Sequence, residues 1–383
     1  AIQAALSKII GRNRQSADDV VTSGIPMAPC VHRILRFPFN DEEAIAESVV
    51  FELESHIPID VEDLVIDHLT VGKTDDDQTA VMCVAAQQSY IADRLEMLRA
   101  ATAEPRDLPL SALTYATLLG NLPSLREGRN LVVDIGAESS EVVIVEDGLA
   151  KWARSMSVGS EAVREEFSSK FDTTGVETDL LQTHCMLLPP NVPPSQPSEQ
   201  VLHAATVDAL LPLLREIRVT LAAARRDGVD APERVVLTGG MAGMRGLVEY
   251  LERALRMPVA TIDVRELEIA EGLGSADERC ALAVGLALQA TELRTQHGMD
   301  FRQGEFAFEG DFKFLRQRIP QIAAFLVVAL CLLGVRTTVN YRALVHEHQR
   351  QKSQLVKLSK ALTTKRIASF TKLKKELKRP LSV

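Results

Sequence analysis

The chain has 383 residues, 46% hydrophobic and 25% charged, with a formal net charge of −9. That balance supports compact domains and excludes a collagen-like repeat, a disulfide-stapled miniprotein and a wholly disordered chain. Aromatics at 4% leave little for base stacking, and five scattered cysteines with no C-x-x-C pair give no zinc or redox motif.

The charge is unevenly spread. Residues 339–383 hold 12 Lys/Arg and 2 Asp/Glu, a net of +10, so the remainder carries −19. An acidic body argues against nucleic acid as a partner. The basic tail is suited to an acidic surface or an anionic membrane.

In chain order, the first predicted unit is a hairpin of Leu64–Val71 and Thr79–Ala86 around the polar run GKTDDDQ. Its GKT is a decoy: a P-loop needs a glycine where Asp67 stands. Next, LVVDIGAESSEVVIVEDG (Leu131–Gly148) predicts two buried strands, Leu131–Val133 and Val142–Val145, joined at a glycine turn. Gly136 lets a ligand approach the backbone. Asp134 is placed to hold a Mg²⁺-bound water, and Ser139 and Ser140 to donate to phosphate oxygens. The plain alternative is an ordinary β-hairpin.

A helix is predicted over Glu161–Lys170, then a loop crowded by Pro189, Pro190, Pro193, Pro194 and Pro197. A long helix follows over Leu202–Arg226. VVLTGGMAGMRGL (Val235–Leu247) predicts a strand over Arg234–Leu237, a Gly239-Gly240 turn and a helix over Met244–Leu255. Paired glycines there would let a phosphate or flat ring lie near helix amides. The plain alternative is a tight strand-to-helix turn, and no G-x-G-x-x-G fingerprint is present. Arg279–Leu293 reads as a helix rich in Ala and Gly. Strands alternating with helices predict an α/β fold with a partly parallel sheet.

Ile319–Val335 carries no charge and reaches roughly 25 Å as a helix, near the length of a hydrocarbon core. Basic residues just before and after it balance four against four, so the positive-inside rule gives no orientation. Beyond it, Leu344, Leu355, Leu358, Leu362, Ile367, Phe370, Leu373 and Leu377 predict an amphipathic helix or coiled coil. No histidine pattern, catalytic triad or general acid–base pair stands out.

Together, D-x-G-x-x-S followed about 100 residues later by strand-Gly-Gly-helix resembles the phosphate and adenosine loops of the actin-like (ribonuclease H-like) ATPase superfamily. ALAVGLAL (Ala281–Leu288) resembles its small-residue helix. The resemblance implies a nucleotide site at Asp134, Gly136, Ser139, Gly239 and Gly240. It also implies a first phosphate loop that this sequence lacks, which argues against ATP or Mg²⁺ as a working cofactor and leaves the site vestigial. The body is therefore expected to be a two-lobed actin-like fold, incomplete at its N-terminus.

RILRFPFNDEEAIAESVVFELESHIPIDVEDLVIDHLTV (Arg33–Val71) resembles the inserted subdomain of the pilus and secretion branch of that superfamily. Phe301-Arg302-Gln303-Gly304-Glu305-Phe306 resembles the juxtamembrane motif of the type II secretion system protein L family (GspL-like), with Asp300-Phe301 in place of Asn-Leu. The implied domains are a first lobe over 1–128, with an insertion at about 33–110, and a second over 129–295. A juxtamembrane segment over 296–318, a transmembrane helix over 319–338 and a periplasmic helix over 339–383 complete them; the ferredoxin-like domain expected after that helix is missing.

This resemblance implies a scaffold, not an enzyme, in the bacterial inner membrane with its N-terminal body in the cytoplasm. Implied partners are the hexameric secretion ATPase, the M-type inner-membrane protein and a second copy. The motor-binding surface maps to no certain residues; the acidic stretch Glu52–Asp63 is one candidate. Two other readings stay open: a type IV pilus platform protein fusing the cytoplasmic and membrane components, and a membrane-tethered actin-like ATPase.

Overall fold

The computed structural model describes residues 6–8, 20–74, 76–171, 187–188, 194–267, 277–291, 298–308, 311–363 and 368–378. It divides into two units, residues 1–308 and 309–383.

The first unit begins with β1 (Val31–Phe37), α1 (Glu42–Glu54), β2 (Leu64–Lys73), β3 (Thr79–Gln87) and α2 (Gln88–Ala100). The strands pair antiparallel in the order β1-β3-β2. The β2–β3 hairpin is the one expected around GKT. Asp41 caps α1, its carboxylate accepting from the Ala44 amide. Strand β3 is apolar at successive positions because both its faces are covered. Val81, Cys83 and Ala85 join Ile45, Val49 and Leu53 of α1 in one small core. Met82, Val84 and Ala86 face the other way into the main core.

The chain continues through α3 (Thr114–Gly120), β4 (Arg129–Ile135), β5 (Ser140–Glu146), β6 (Leu149–Met156), α4 (Ser160–Ser169), α5 (Pro197–Arg226), β7 (Arg234–Thr238), α6 (Leu247–Leu255), β8 (Val259–Thr261) and α7 (Ala281–Gln289). Five strands form one sheet, β6-β5-β4-β7-β8, parallel across β4–β7 and β7–β8 and antiparallel elsewhere. Alternation sorts its side chains. Leu131, Val133, Ile135, Val142, Ile144, Val235 and Leu237 face a core closed by α4, α5 and α6. Val132, Val143, Val145 and Val236 face the core shared with α3 and α7. Gly285 allows α7 to lie tight on α3: a Cβ there would stand 3.1 Å from the Thr114 carbonyl.

Helix α5 starts earlier than the sequence reading places it, because Pro197 suits a first turn and Gln196 with Glu199 forms a capping box. Pro189, Pro190 and Pro193 of the expected loop lie outside the described residues, as do 292–293 of the expected helix over Arg279–Leu293.

The second unit is α8 (Asp311–Thr363) and α9 (Phe370–Leu377). At about 1.5 Å per residue, α8 is about 80 Å long. Among the described residues it holds the one helix, Ala324–Ala361, long and apolar enough to cross a membrane. Thr337 and Thr338 bond back to the Leu333 and Gly334 carbonyls, so these hydroxyls need no water. The apolar stripe expected to continue to Leu377 is divided between α8 and α9, and Leu373 is buried. Ile367 lies outside the described residues.

Candidate functional site

The strand register assembles the site. Asp134 at the end of β4 is paired with Glu141 on β5 and with Thr238 on β7. All three lie on the sheet face covered by α3. Tyr115 of α3, 1% exposed, donates its hydroxyl to Asp134 Oδ2 at 2.7 Å. Thr238 donates to the Glu278 carbonyl at 2.6 Å. Glu141 Oε1 accepts from the Met27 amide at 2.6 Å, whereas Oε2 is buried without a hydrogen-bond partner.

Burial raises both carboxyl pKa values. For Asp134 the Tyr115 bond works against that rise. Glu141 is pushed up to about 7, by burial first and then by the charge of Asp134, with the Met27 amide opposing. The Tyr115 hydroxyl is pushed well up by burial and by Asp134.

Gly136 opens the turn between β4 and β5. A Cβ there would stand 2.6 Å from the Ser139 carbonyl. The turn crosses the start of α4, where the Ser160 amide donates to the Gly136 carbonyl and the Glu161 amide to the Ala137 carbonyl, both at 2.9 Å. Those amides belong to the otherwise unpaired set at a helix N-terminus. Gly159 is required beside them, because a Cβ would come 2.2 Å from the Ala137 carbonyl oxygen. Ser139 is half-buried in the turn. Ser140, read from the sequence as a phosphate donor, is fully buried and donates to the Val158 carbonyl at 2.6 Å.

Gly239 and Gly240 differ. Gly239 has φ +89°, and a Cβ would come 2.3 Å from Asp134 Oδ1 and 2.6 Å from the Ile135 carbonyl oxygen. Gly240 is exposed, and a Cβ there would meet nothing within 4 Å. Helix α6 begins only at Leu247, capped by Gly246 at φ +83°. Its first amides are thus separated from the glycine pair by the turn Met241–Gly246, and the helix starts three residues later than the expected Met244.

The register therefore brings Asp134 and Gly239 into contact, with the Gly136 turn adjoining. Sequence reasoning missed Tyr115 and Glu141. An acidic residue opening the run of valines in β5 was the available signal for Glu141; nothing local marked Tyr115. Among the described residues no group of three or more His, Cys, Asp or Glu is clustered for a metal ion. The Ser160 and Glu161 amides at the start of α4, which could otherwise face a phosphate, are engaged by the Gly136 and Ala137 carbonyls, Ser140 is engaged by Val158, and Glu141 adds a buried carboxyl. These residues fit a closed structural junction better than Mg²⁺–ATP.

A second arrangement concerns residues 298–308, expected in a juxtamembrane segment and found in the first unit. Asp300 bridges antiparallel to Pro109. Leu110 donates its amide to the Met299 carbonyl, and Phe301 donates to that of Leu108. Asp300 Oδ1 accepts from the Leu108 and Arg302 amides, and the Asp300 amide donates to Asp67 Oδ2 on β2. Phe301 is fully buried in the main core. Arg302, its side chain 0% exposed, donates to Glu104 at 2.8 Å and lies 4.9 Å from the centre of the Phe308 ring. Burial acts upward on Glu104, yet its bonds to Arg302 and Arg99 hold its carboxyl below the usual range. The R-Q-G-E-F motif is thus stitched both to the loop before α3 and to the β1-β3-β2 sheet.

These features define an actin-like α/β body whose last segment leads toward an apolar helix. The solved "PilM-PilN type IV pilus biogenesis complex" matches 76% of this chain and 85% of that one, at 23% identity and TM-score 0.58. MreB5 of Spiroplasma citri bound to ADP matches 76% of this chain and 74% of that one, at 12% identity and TM-score 0.42. The cytoplasmic domain of EpsL, an inner-membrane component of the Vibrio cholerae type II secretion system, matches 79% of this chain and 84% of that one, at 11% identity and TM-score 0.38. No curated protein matches. The family model for type IV pilus assembly protein PilM matches residues 1–291, and the chain belongs to that family of assembly-platform proteins.

Proposed function

We propose that this protein is a platform subunit of a pilus-type assembly machine, in which a PilM-family body and a membrane helix are carried on one chain. The observation that carries this reading is the docked Met299–Phe306 segment. It is part of the body's own core and precedes the apolar helix α8. The body would face the cytoplasm and bind the assembly ATPase, and the membrane and tail helices would bind other inner-membrane subunits and a second copy. The chain itself would hydrolyse nothing. The Ser160 and Glu161 amides of α4, engaged by the Gly136 and Ala137 carbonyls, support that scaffold role.

A second reading, the type II secretion L-type subunit, is favoured by Arg302-Gln303-Gly304-Glu305-Phe306 standing before the helix. Deleting the gene separates the two: loss of surface pili supports the first, and loss of exoprotein secretion with pili intact supports the second.

The mechanism is tested with the full chain in nanodiscs, mixed with the purified cognate ATPase and separated by size, with ATP turnover assayed in each fraction. A complex whose turnover all belongs to the ATPase is expected. No complex, or turnover by the chain alone that an Asp134→Ala change abolishes, overturns the scaffold reading.

A further inference from the structure

The β1-β3-β2 sheet is covered by the main core on one face and by α1 on the other. Helix α1 is therefore an outermost layer. Ile45, Val49 and Leu53 turn inward at four-residue spacing. The opposite face presents Glu43, Glu47, Phe51 and Glu54, one line along the helix. Phe51 is 77% exposed, the most exposed large apolar side chain among the described residues of the first unit, and neighbouring Val50 is 39% exposed.

An exposed phenylalanine on a rigid helix is unfavourable in water and suits an interface, where aromatic side chains are enriched. Helix propensity does not require it; alanine would serve α1 better. The surroundings specify what covers it. From Asp41 to Asp63 the chain holds nine Asp/Glu and no Lys or Arg, as much negative charge as the net of the whole protein. Glu52 is engaged with His56. Among the described residues no ion pair engages Glu43, Glu47 or Glu54. A second copy would bring the same acidic face to a symmetric contact, and an anionic bilayer would be repelled.

We propose that the outward face of α1 is the docking surface for a basic protein segment, its Lys/Arg side chains pairing with Glu43, Glu47 and Glu54 around an apolar pocket that receives Phe51. The inference rests on the platform reading and assigns this segment to the ATPase partner. It places the contact on α1 (Glu42–Glu54), overlapping through Glu54 the acidic stretch Glu52–Asp63 indicated by the sequence.

The test is binding of the purified cognate ATPase to the full chain in nanodiscs, measured for wild type, Phe51→Ala, the pair Glu47→Lys with Glu54→Lys, and Val219→Ser. Val219 is an exposed residue of α5, remote in sequence. Loss of an aromatic anchor is expected to weaken binding about tenfold or more. Charge reversal is expected to weaken it and to flatten its dependence on salt. Val219→Ser should bind as wild type. Thermal melts check that each variant is folded, and the charge-reversal pair keeps the test decisive should Phe51→Ala melt early.

Wild-type affinity in both α1 variants overturns the docking surface while leaving the platform reading intact. Absence of any wild-type complex overturns the assignment of the ATPase as partner, and the docking proposal with it.

Discussion

Asp134 and Glu141 stand opposite each other across β4 and β5, two carboxyls on one sheet face with Tyr115 donating to the first and the Met27 amide to the second. Like charges directly across an antiparallel pair are destabilising. The pair is stable when it holds at least one proton, and the following expectation comes from that.

Glu141 has its folded pKa at about 7, above its ordinary 4.5, so folding favours its protonated form. Its contribution is unpenalised below about pH 4.5, falls as pH rises toward 7 and is level above that. In Glu141→Gln the acceptor for the Met27 amide is kept and the charge is removed. The stability difference between the variant and wild type is expected to move in the variant's favour by on the order of 3 kcal/mol between pH 4 and pH 8. Urea melts of the full chain across that range measure it; parallel curves would refute it.

Tyr115→Phe removes the hydroxyl bond to Asp134 and leaves a buried carboxylate oxygen short of a donor. A loss of about 1–3 kcal/mol is expected at neutral pH. Because the bond favours the ionised carboxyl, the loss should shrink in acid. Thermal melts at pH 7 and pH 4 check both the size and the trend.

Gly239 and Gly240 separate under the same substitution. Gly239→Ala places a Cβ against Asp134 and Ile135 at a positive φ and should cost several kcal/mol, about 3 or more. Gly240→Ala meets nothing and should stay within about 0.5 kcal/mol. Paired denaturant titrations decide it. Equal effects would show that the first glycine is not a packing requirement.

Phe301→Ala empties a fully buried ring position and should destabilise the body by about 3–5 kcal/mol. Hydrogen exchange at the Leu110 and Phe301 amides should accelerate ahead of the β4–β7 core. If the segment were a free linker, neither quantity would change.

The sheet was readable in the sequence because the short continuous apolar runs Leu131–Val133 and Val142–Val145, either side of a glycine turn, are local properties. The β2–β3 hairpin was readable for the same reason. The junction at Asp134 was only half visible. Its closeness to Gly239 depends on a parallel pairing about 100 residues apart, and Tyr115 arrives from a helix that no spacing connects to β4. The Met299–Phe306 segment reads as juxtamembrane because Arg302-Gln303-Gly304-Glu305-Phe306 stands shortly before the uncharged run Ile319–Val335. Met299, Phe301 and Phe306 are the apolar signs in that run that it docks, and their place in the main core explains why Arg302 beside them is buried.

Strand β3 belongs to two cores at once, with Val81, Cys83 and Ala85 in one and Met82, Val84 and Ala86 in the other. Swinging the β1-β3-β2 sheet away from α3 would bare one whole side of that strand to water. The partition ties β3 to α1 on one side and to the main core on the other. A pull or a twist delivered to α1 would pass through β3 into the same core that holds Tyr115 and Phe301.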